Sequence, residues 1–165
     1  MQALAKLAQF FGLGLLQALD CISFLRLVLL YTTYLMGISR QQRQIRKVMI
    51  VEDEQDILLL YKDYLKSKGH FVIVSSTTAD EVLADYEKYA PDIVIIDYKL
   101  PGKKNGIQAA KEILIKYPLA RVLIITAYEN VKDELNKDEF FKAKKAEVLI
   151  KPVKLAHLAD TIVNI

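Results

Sequence analysis

Cysteine is almost missing from this chain: the lone Cys21 can close no internal disulfide, and so thin a use of sulfur suits a reducing compartment. Histidine is scarce too. His70 and His157 stand far apart, with no second His or Cys at ligand spacing, so both read as surface or packing residues and not as metal ligands. The G-x-x-x-x-G-K-[ST] pattern of a P-loop is absent, which excludes that mode of nucleotide chemistry. Gly12-x-Gly14 is a near miss for a dinucleotide loop, but Gln17 stands where the third glycine belongs and no strand precedes it. Positive charge is also missing where a nucleic-acid surface would need it. Residues 1–47 carry six basic side chains and one acidic, and residues 48–165 carry 17 basic and 19 acidic, so the net +3 belongs to the N-terminal segment.

What is present fits one α/β domain with an appendage, because 165 residues that are 53% hydrophobic can bury one core but hardly two. Residues 1–45 read as a hydrophobic, helical extension with a basic linker, and residues 46–165 as the domain. From 7 to 38 apolar residues dominate on all sides, interrupted by Gly12, Gly14, Asp20, Arg26 and scattered Gln, Ser and Thr. As a helix this stretch would run about 48 Å at ~1.5 Å per residue, longer than the ~30 Å hydrocarbon core of a bilayer. Residues 21–38 alone make about one span, opposed by Arg26 near one end. Arg40, Arg43, Arg46 and Lys47 follow as a positive flank that would keep the domain cytoplasmic. Three readings compete: a membrane anchor through residues 7–38, an apolar helix that binds a partner or a second copy, and a translation start at Met36 that leaves the segment unmade. A cleaved signal peptide fits poorly, since Lys6 is a thin charged region and export would take the domain away from ATP-fed chemistry.

From Lys47 onward strand and helix alternate. Residues 48–51 are an apolar run ending in Glu52, Asp53 and Glu54, and the helix after them carries Ile57, Leu60, Tyr61, Tyr64 and Leu65 at helical spacing before Gly69. Residues 71–74 read as a second strand and 78–90 as a second helix, with Ala79, Val82, Leu83, Tyr86 and Tyr89 inward. Ile93 and the three apolar residues after it predict a strand buried on both faces, which stops at Asp97. A loop over 98–105 leads into a helix from Gly106 that Pro118 stops. Residues 122–125 form a strand ending at Thr126, 129–145 a charged helix, and 148–150 a short strand ending at Lys151-Pro152. Leu155, Leu158, Ala159 and Ile162 mark the last helix. Such βα alternation builds a parallel sheet with helices on both faces.

The carboxyl edge of that sheet, where open α/β sheets bind ligands, then collects Glu52 and Asp53, Asp97, Thr126 and Lys151. Singly, each has a structural explanation as a cap or a solvated charge. Together they form a set: carboxylates crowded in one crevice need a cation, and hard oxygen ligands suit Mg²⁺. A lysine and a hydroxyl opposite can take phosphoryl oxygens, which equips the edge for a phosphoryl group landing on a carboxylate.

Residues 47–165 resemble a response regulator receiver domain of two-component signalling, through Val51-Glu52-Asp53-Glu54, Ile95-Ile96-Asp97-Tyr98-Lys99-Leu100-Pro101, Ile124-Ile125-Thr126-Ala127 and Leu149-Ile150-Lys151-Pro152. The resemblance implies a flavodoxin-like (βα)5 doubly wound sheet in strand order 2-1-3-4-5. It implies Asp97 as the acceptor of a phosphoryl group from a phosphohistidine on a sensor histidine kinase or phosphotransfer protein. Mg²⁺ would be held by Asp53, Asp97 and the backbone carbonyl of Lys99, with Glu52 directly or through water. Lys151 would pair with phosphoryl oxygens, Thr126 would bond one of them, and Ala127 would leave access to Asp97. Lys151-Pro152 resembles a family position that is often a cis peptide. The resemblance implies a chain that would catalyse its own phosphotransfer and slow autodephosphorylation, not turnover of a substrate.

Three places depart from the family pattern. Val148 stands where a Tyr or Phe usually turns inward as the threonine moves, the loop from Pro101 to Gly106 is about a residue long, and the stretch between Thr126 and Lys151 is slightly extended. No residue follows Ile165, from which we expect a stand-alone receiver, without direct nucleic-acid binding, that acts on a downstream protein target through changed affinity. The rival reading is a receiver-like interaction module that works independently of phosphorylation. A haloacid-dehalogenase-like phosphatase would want a second Asp where Lys99 stands.

Overall fold

The computed structural model describes residues 28–30 and 44–165. The chain divides into two units, 1–43 and 44–165, each taken by itself. In the first, Val28, Leu29 and Leu30 are helical; the anchor, partner-helix and start-site readings otherwise fall outside the described residues. Among the described residues, no helix is long and apolar enough to cross a membrane.

In the second unit the elements run β1 (Lys47–Val51), α1 (Gln55–Ser67), β2 (Phe71–Ser76), α2 (Val82–Tyr89), β3 (Ile93–Asp97) and α3 (Gly106–Lys116). They continue with β4 (Arg121–Thr126), α4 (Glu129–Lys137), α5 (Glu139–Lys142), β5 (Lys145–Ile150) and α6 (Leu155–Asn164). All five strands lie in one sheet in the order β2-β1-β3-β4-β5, every pair parallel, which is the doubly wound, flavodoxin-like order 2-1-3-4-5.

The central place of β3 follows from its side chains. Val94 and Ile96 pack on one face with Ala109, Ile113 and Leu114 of α3, while Ile93 and Ile95 pack on the other with Leu58 and Tyr61 of α1 and Leu158 of α6. Burying four such side chains is worth roughly 6–12 kcal/mol before chain entropy is counted. That exceeds the several kcal/mol that desolvating one paired carboxylate costs, so the strand can carry a buried acid at its end.

Several local expectations are corrected. In α1 the buried stripe is Leu58, Tyr61 and Leu65, and Leu60 faces solvent, because a run of three leucines leaves the phase of the helix open. The second helix starts at Val82 and not at 78; residues 77–81 form bends and a turn that still place Ala79 in the core. The charged helix expected over 129–145 breaks at Asp138, which ends α4 and caps α5 by accepting a hydrogen bond from Phe140 N–H at 2.9 Å. The fifth strand then begins at Lys145, three residues before the expected start at 148. Arg46, read as part of a basic flank, is buried and donates to Gln44 at 2.8 Å and to the Val163 carbonyl at 3.4 Å.

Candidate functional site

Strand register alone assembles most of the site. Val51 pairs with Ile96, so Glu52 comes level with Asp97; Asp97 pairs with Ile125, so Thr126 lies one residue beyond it; Thr126 pairs with Ile150, so Lys151 lies one beyond that. A parallel sheet sends all these strand ends the same way. Side chains separated by up to 99 positions thus meet at one edge.

Lys151 is the centre of the meeting. Its Nζ lies 2.7 Å from Asp97 Oδ1 and 3.0 Å from Glu52 Oε2, with Glu54 further out at 3.9 Å. Asp97 is 6% exposed and Glu52 1%, whereas Asp53 is open to solvent. One oxygen from each of Glu52, Asp53 and Asp97 lies within 4.8 Å of the others, a donor set of hard oxygens of the kind Mg²⁺ takes. Asp97 Oδ2 accepts a hydrogen bond from Lys99 N–H at 2.8 Å, which folds the start of the next loop back over the carboxylate. Thr126 is fully buried, and its hydroxyl oxygen accepts from Tyr128 N–H at 3.1 Å. Lys151 N–H donates to the Thr126 carbonyl at 2.8 Å, and the Lys151-Pro152 peptide is cis.

The electrostatics follow from burial and pairing. Burial pushes the Glu52 carboxyl above its usual range; its hydrogen bond with Lys151 opposes this and the charge on Asp97 adds to it. Burial pulls the Lys151 ammonium down, but its hydrogen bonds to Asp97 and Glu52 outweigh that, and the net direction is up. Lys151 therefore stays cationic at any physiological pH. Tyr61 of α1 is pushed up to about 12, by burial first, with Lys151 opposing and the acids Glu52 and Asp97 adding.

Some contributors carry weak sequence signals. Asn105 caps α3 by accepting from Gln108 N–H at 2.9 Å, while the Gln108 side-chain oxygen accepts from Asn105 N–H at 2.8 Å; an Asn with Gln three residues on marks such a box. Gly106 lies so close to Asp97 that a Cβ would come 2.1 Å from its carbonyl oxygen. Nothing local in the sequence distinguishes Tyr61 from any other inward helix residue. Tyr98 and Tyr128, from the loops after β3 and β4, meet edge to face with ring centroids 5.8 Å apart.

Comparison with known proteins gives the family and the fold. The family model for the response regulator receiver domain matches residues 48–163. Chemotaxis protein CheY of Thermotoga maritima is 27% identical over 117 residues, covering 71% of this chain and 94% of CheY. Transcriptional regulatory protein PdtaR of Mycobacterium tuberculosis is 30% identical over 120 residues, 71% of this chain, which spans only 55% of PdtaR. The solution structure of the receiver domain of the PhyR response regulator from Erythrobacter litoralis matches with a TM-score of 0.62 at 25% identity, covering 73% of this chain and 88% of that one. The chain belongs to the response regulator receiver family.

Proposed function

We propose that this receiver takes a phosphoryl group from a phosphohistidine onto Asp97 and signals by changing its affinity for a protein partner. The observation that carries the reading is the Lys151 ammonium clasped between Asp97 and Glu52, a cation held against a buried carboxylate that faces the ligand edge of the sheet.

In the transfer, an Asp97 carboxylate oxygen attacks phosphorus as the P–N bond to the donor imidazole breaks. The bonding pair stays with the imidazole nitrogen, which takes up a proton, and Asp97 becomes an acyl phosphate. Glu52, Asp53, Asp97 and the Lys99 carbonyl would hold Mg²⁺, and the oxygen-only donor set fits it. Bound there, it would supply charge neutralisation to the acids and the phosphoryl group. Lys151 then exchanges its bond to Asp97 for one to a phosphoryl oxygen. The Thr126 hydroxyl turns from Tyr128 N–H to donate to another, and that exchange releases the loop after β4. A sensor histidine kinase or phosphotransfer protein is the donor in this reading, and a protein that discriminates the two loop states is the target.

Mass spectrometry after incubation with Mg²⁺ and acetyl phosphate tests the proposal. The wild type gains one phosphoryl group and Asp97→Ala gains none. No gain on the wild type, or an equal gain on Asp97→Ala, overturns it. The first of those outcomes favours a phosphorylation-independent module, for which one feature speaks: Val148 is small, and it lines a cavity of about 120 Å³ together with Leu135, Phe141 and Ala146.

A further inference from the structure

The loop after β3, the one longer than the family pattern, is fastened at its far end by a residue that the site does not include. Asp80 sits in the turn between β2 and α2. Its Oδ1 accepts a hydrogen bond from Lys103 N–H at 2.9 Å. Gly102 approaches so closely that a Cβ there would stand 2.9 Å from Asp80 Oδ2, and its φ of +114° is one that glycine alone adopts freely. Lys104 Nζ lies 3.4 Å from the Asp80 carbonyl oxygen and 2.6 Å from Glu112 of α3.

The near end is fastened separately. Lys99 N–H is bonded to Asp97, Gly106 N–H donates to the Tyr98 carbonyl at 3.0 Å, and the Asn105 box fixes the entry to α3. Residues 100–104 lie between these points, and the Asp80 carboxylate is the side chain that ties their backbone to another loop.

We propose that Asp80 is a positioning residue for the metal-binding loop: by holding Gly102 and Lys103 down, it limits the freedom that the near-end bonds leave to the segment carrying the Lys99 carbonyl. The inference rests on the reading of that carbonyl as a Mg²⁺ ligand. A backbone carbonyl is a neutral ligand with no charge to draw the ion, so its contribution depends on being in position beforehand. Asp80 is exposed, and Lys103 N–H would find water without it, so the fold loses little when the clamp is removed. What is lost is order in the loop, and that order must then be restored as the ion binds.

Calorimetric titration of Mg²⁺ into the full chain decides it, with Asp80→Ala, Asp80→Asn and the wild type compared and amide exchange followed at Lys103. Asp80→Ala is expected to bind Mg²⁺ about tenfold more weakly, the lower end of what losing an outer support costs a metal site. Its Lys103 amide exchanges faster. Asp80→Asn keeps an oxygen for Lys103 N–H and binds like the wild type. Asp80→Ala binding like the wild type overturns the inference while leaving the proposed function standing. Asp80→Asn falling as far as Asp80→Ala also overturns it, since the effect would then be one of charge and not of position. A wild type that binds no Mg²⁺ removes the inference and the metal reading together.

Discussion

Lys151 Nζ stands 2.7 Å from Asp97 Oδ1 and 3.0 Å from Glu52 Oε2, so two buried acids share a single ammonium. Removing it while leaving the acids is a larger perturbation than removing the whole group of charges. In Lys151→Met without Mg²⁺ we expect a loss of about 3–5 kcal/mol at neutral pH. The sign with pH is fixed by Glu52. Its folded pKa lies above its ordinary value already, through burial, and goes higher without Lys151. A raised carboxyl contributes stability that is present below its unfolded pKa and lost as pH rises through the folded one. The penalty in Lys151→Met therefore shrinks as pH falls toward the ordinary carboxylate range. Denaturant melts at several pH values check this, and a penalty that stays constant with pH would rule it out.

Gly106 is required by contact and not by its backbone angle. A Cβ would meet the Asp97 carbonyl oxygen at 2.1 Å and Ile96 Cγ2 at 2.9 Å, both on the rigid central strand. Gly106→Ala must push α3 away from β3 or shift Asp97. We expect it to cost about 3 kcal/mol and to slow phosphorylation, whereas Asn105→Ala, which removes a cap from the same turn, costs about 1 kcal/mol and leaves the rate nearly unchanged. Chemical denaturation and single-turnover phosphorylation separate the two. Equal stability in both variants would contradict the packing argument.

The parts of this molecule that were legible in its sequence are those written in periodicity and at strand ends. Ile93, Val94, Ile95 and Ile96 announce a central strand because every one of them is apolar, and the acid after them stands out against that run. Strand ends converge by topology, so the meeting of Glu52, Asp97 and Lys151 follows once the alternation is read. The break at Asp138 was hidden because a capping aspartate inside a charged segment looks like any other helix surface residue. The contact between Asp80 and Lys103 joins two loops 23 positions apart and leaves no trace in either pattern. Leu58, Leu59 and Leu60 show the limit of periodicity itself: three identical neighbours cannot say which of them points inward.

His70 gives the domain an acid-side weakness distant from the site. Its Nδ1 accepts from Arg46 N–H at 3.2 Å, a bond only the unprotonated nitrogen can make. Burial, with the Arg46 charge adding, holds its pKa below the ordinary 6.5. A depressed pKa contributes stability that is present above the unfolded value and lost as pH falls through the folded one. Stability should therefore decline below about pH 6.5, where the unfolded chain begins to take up the proton. His70→Gln can keep an acceptor but does not titrate, and its stability should fall less steeply over that interval. Identical slopes in the two proteins would show that His70 contributes nothing to the decline.

On the proposed reading, the lifetime of a phosphoryl group on Asp97 should depend on Lys99 and Tyr128, which stand in the loops after β3 and β4. Tyr128 is 43% exposed, rests edge-on against Tyr98 and follows Thr126 by two residues, so it belongs to the loop at the entrance to the Asp97 edge. Lys99, two residues beyond Asp97, is held beside its Oδ2 through its own backbone N–H. Hydrolysis requires a water molecule to reach phosphorus opposite the Asp97 oxygen, and bulk at the entrance lowers the chance of that alignment. Tyr128→Ala is expected to hydrolyse at least about threefold faster, equivalent to roughly 0.7 kcal/mol of barrier. Lys99→Ala should shift the rate as well, while neither change alters the yield of phosphorylated protein at saturating donor. Decay of the phosphorylated mass after donor removal measures both rates. If Tyr128→Ala and Lys99→Ala decay as slowly as the wild type, the entrance does not control water, and the lifetime is set by the groups that touch the phosphoryl oxygens themselves.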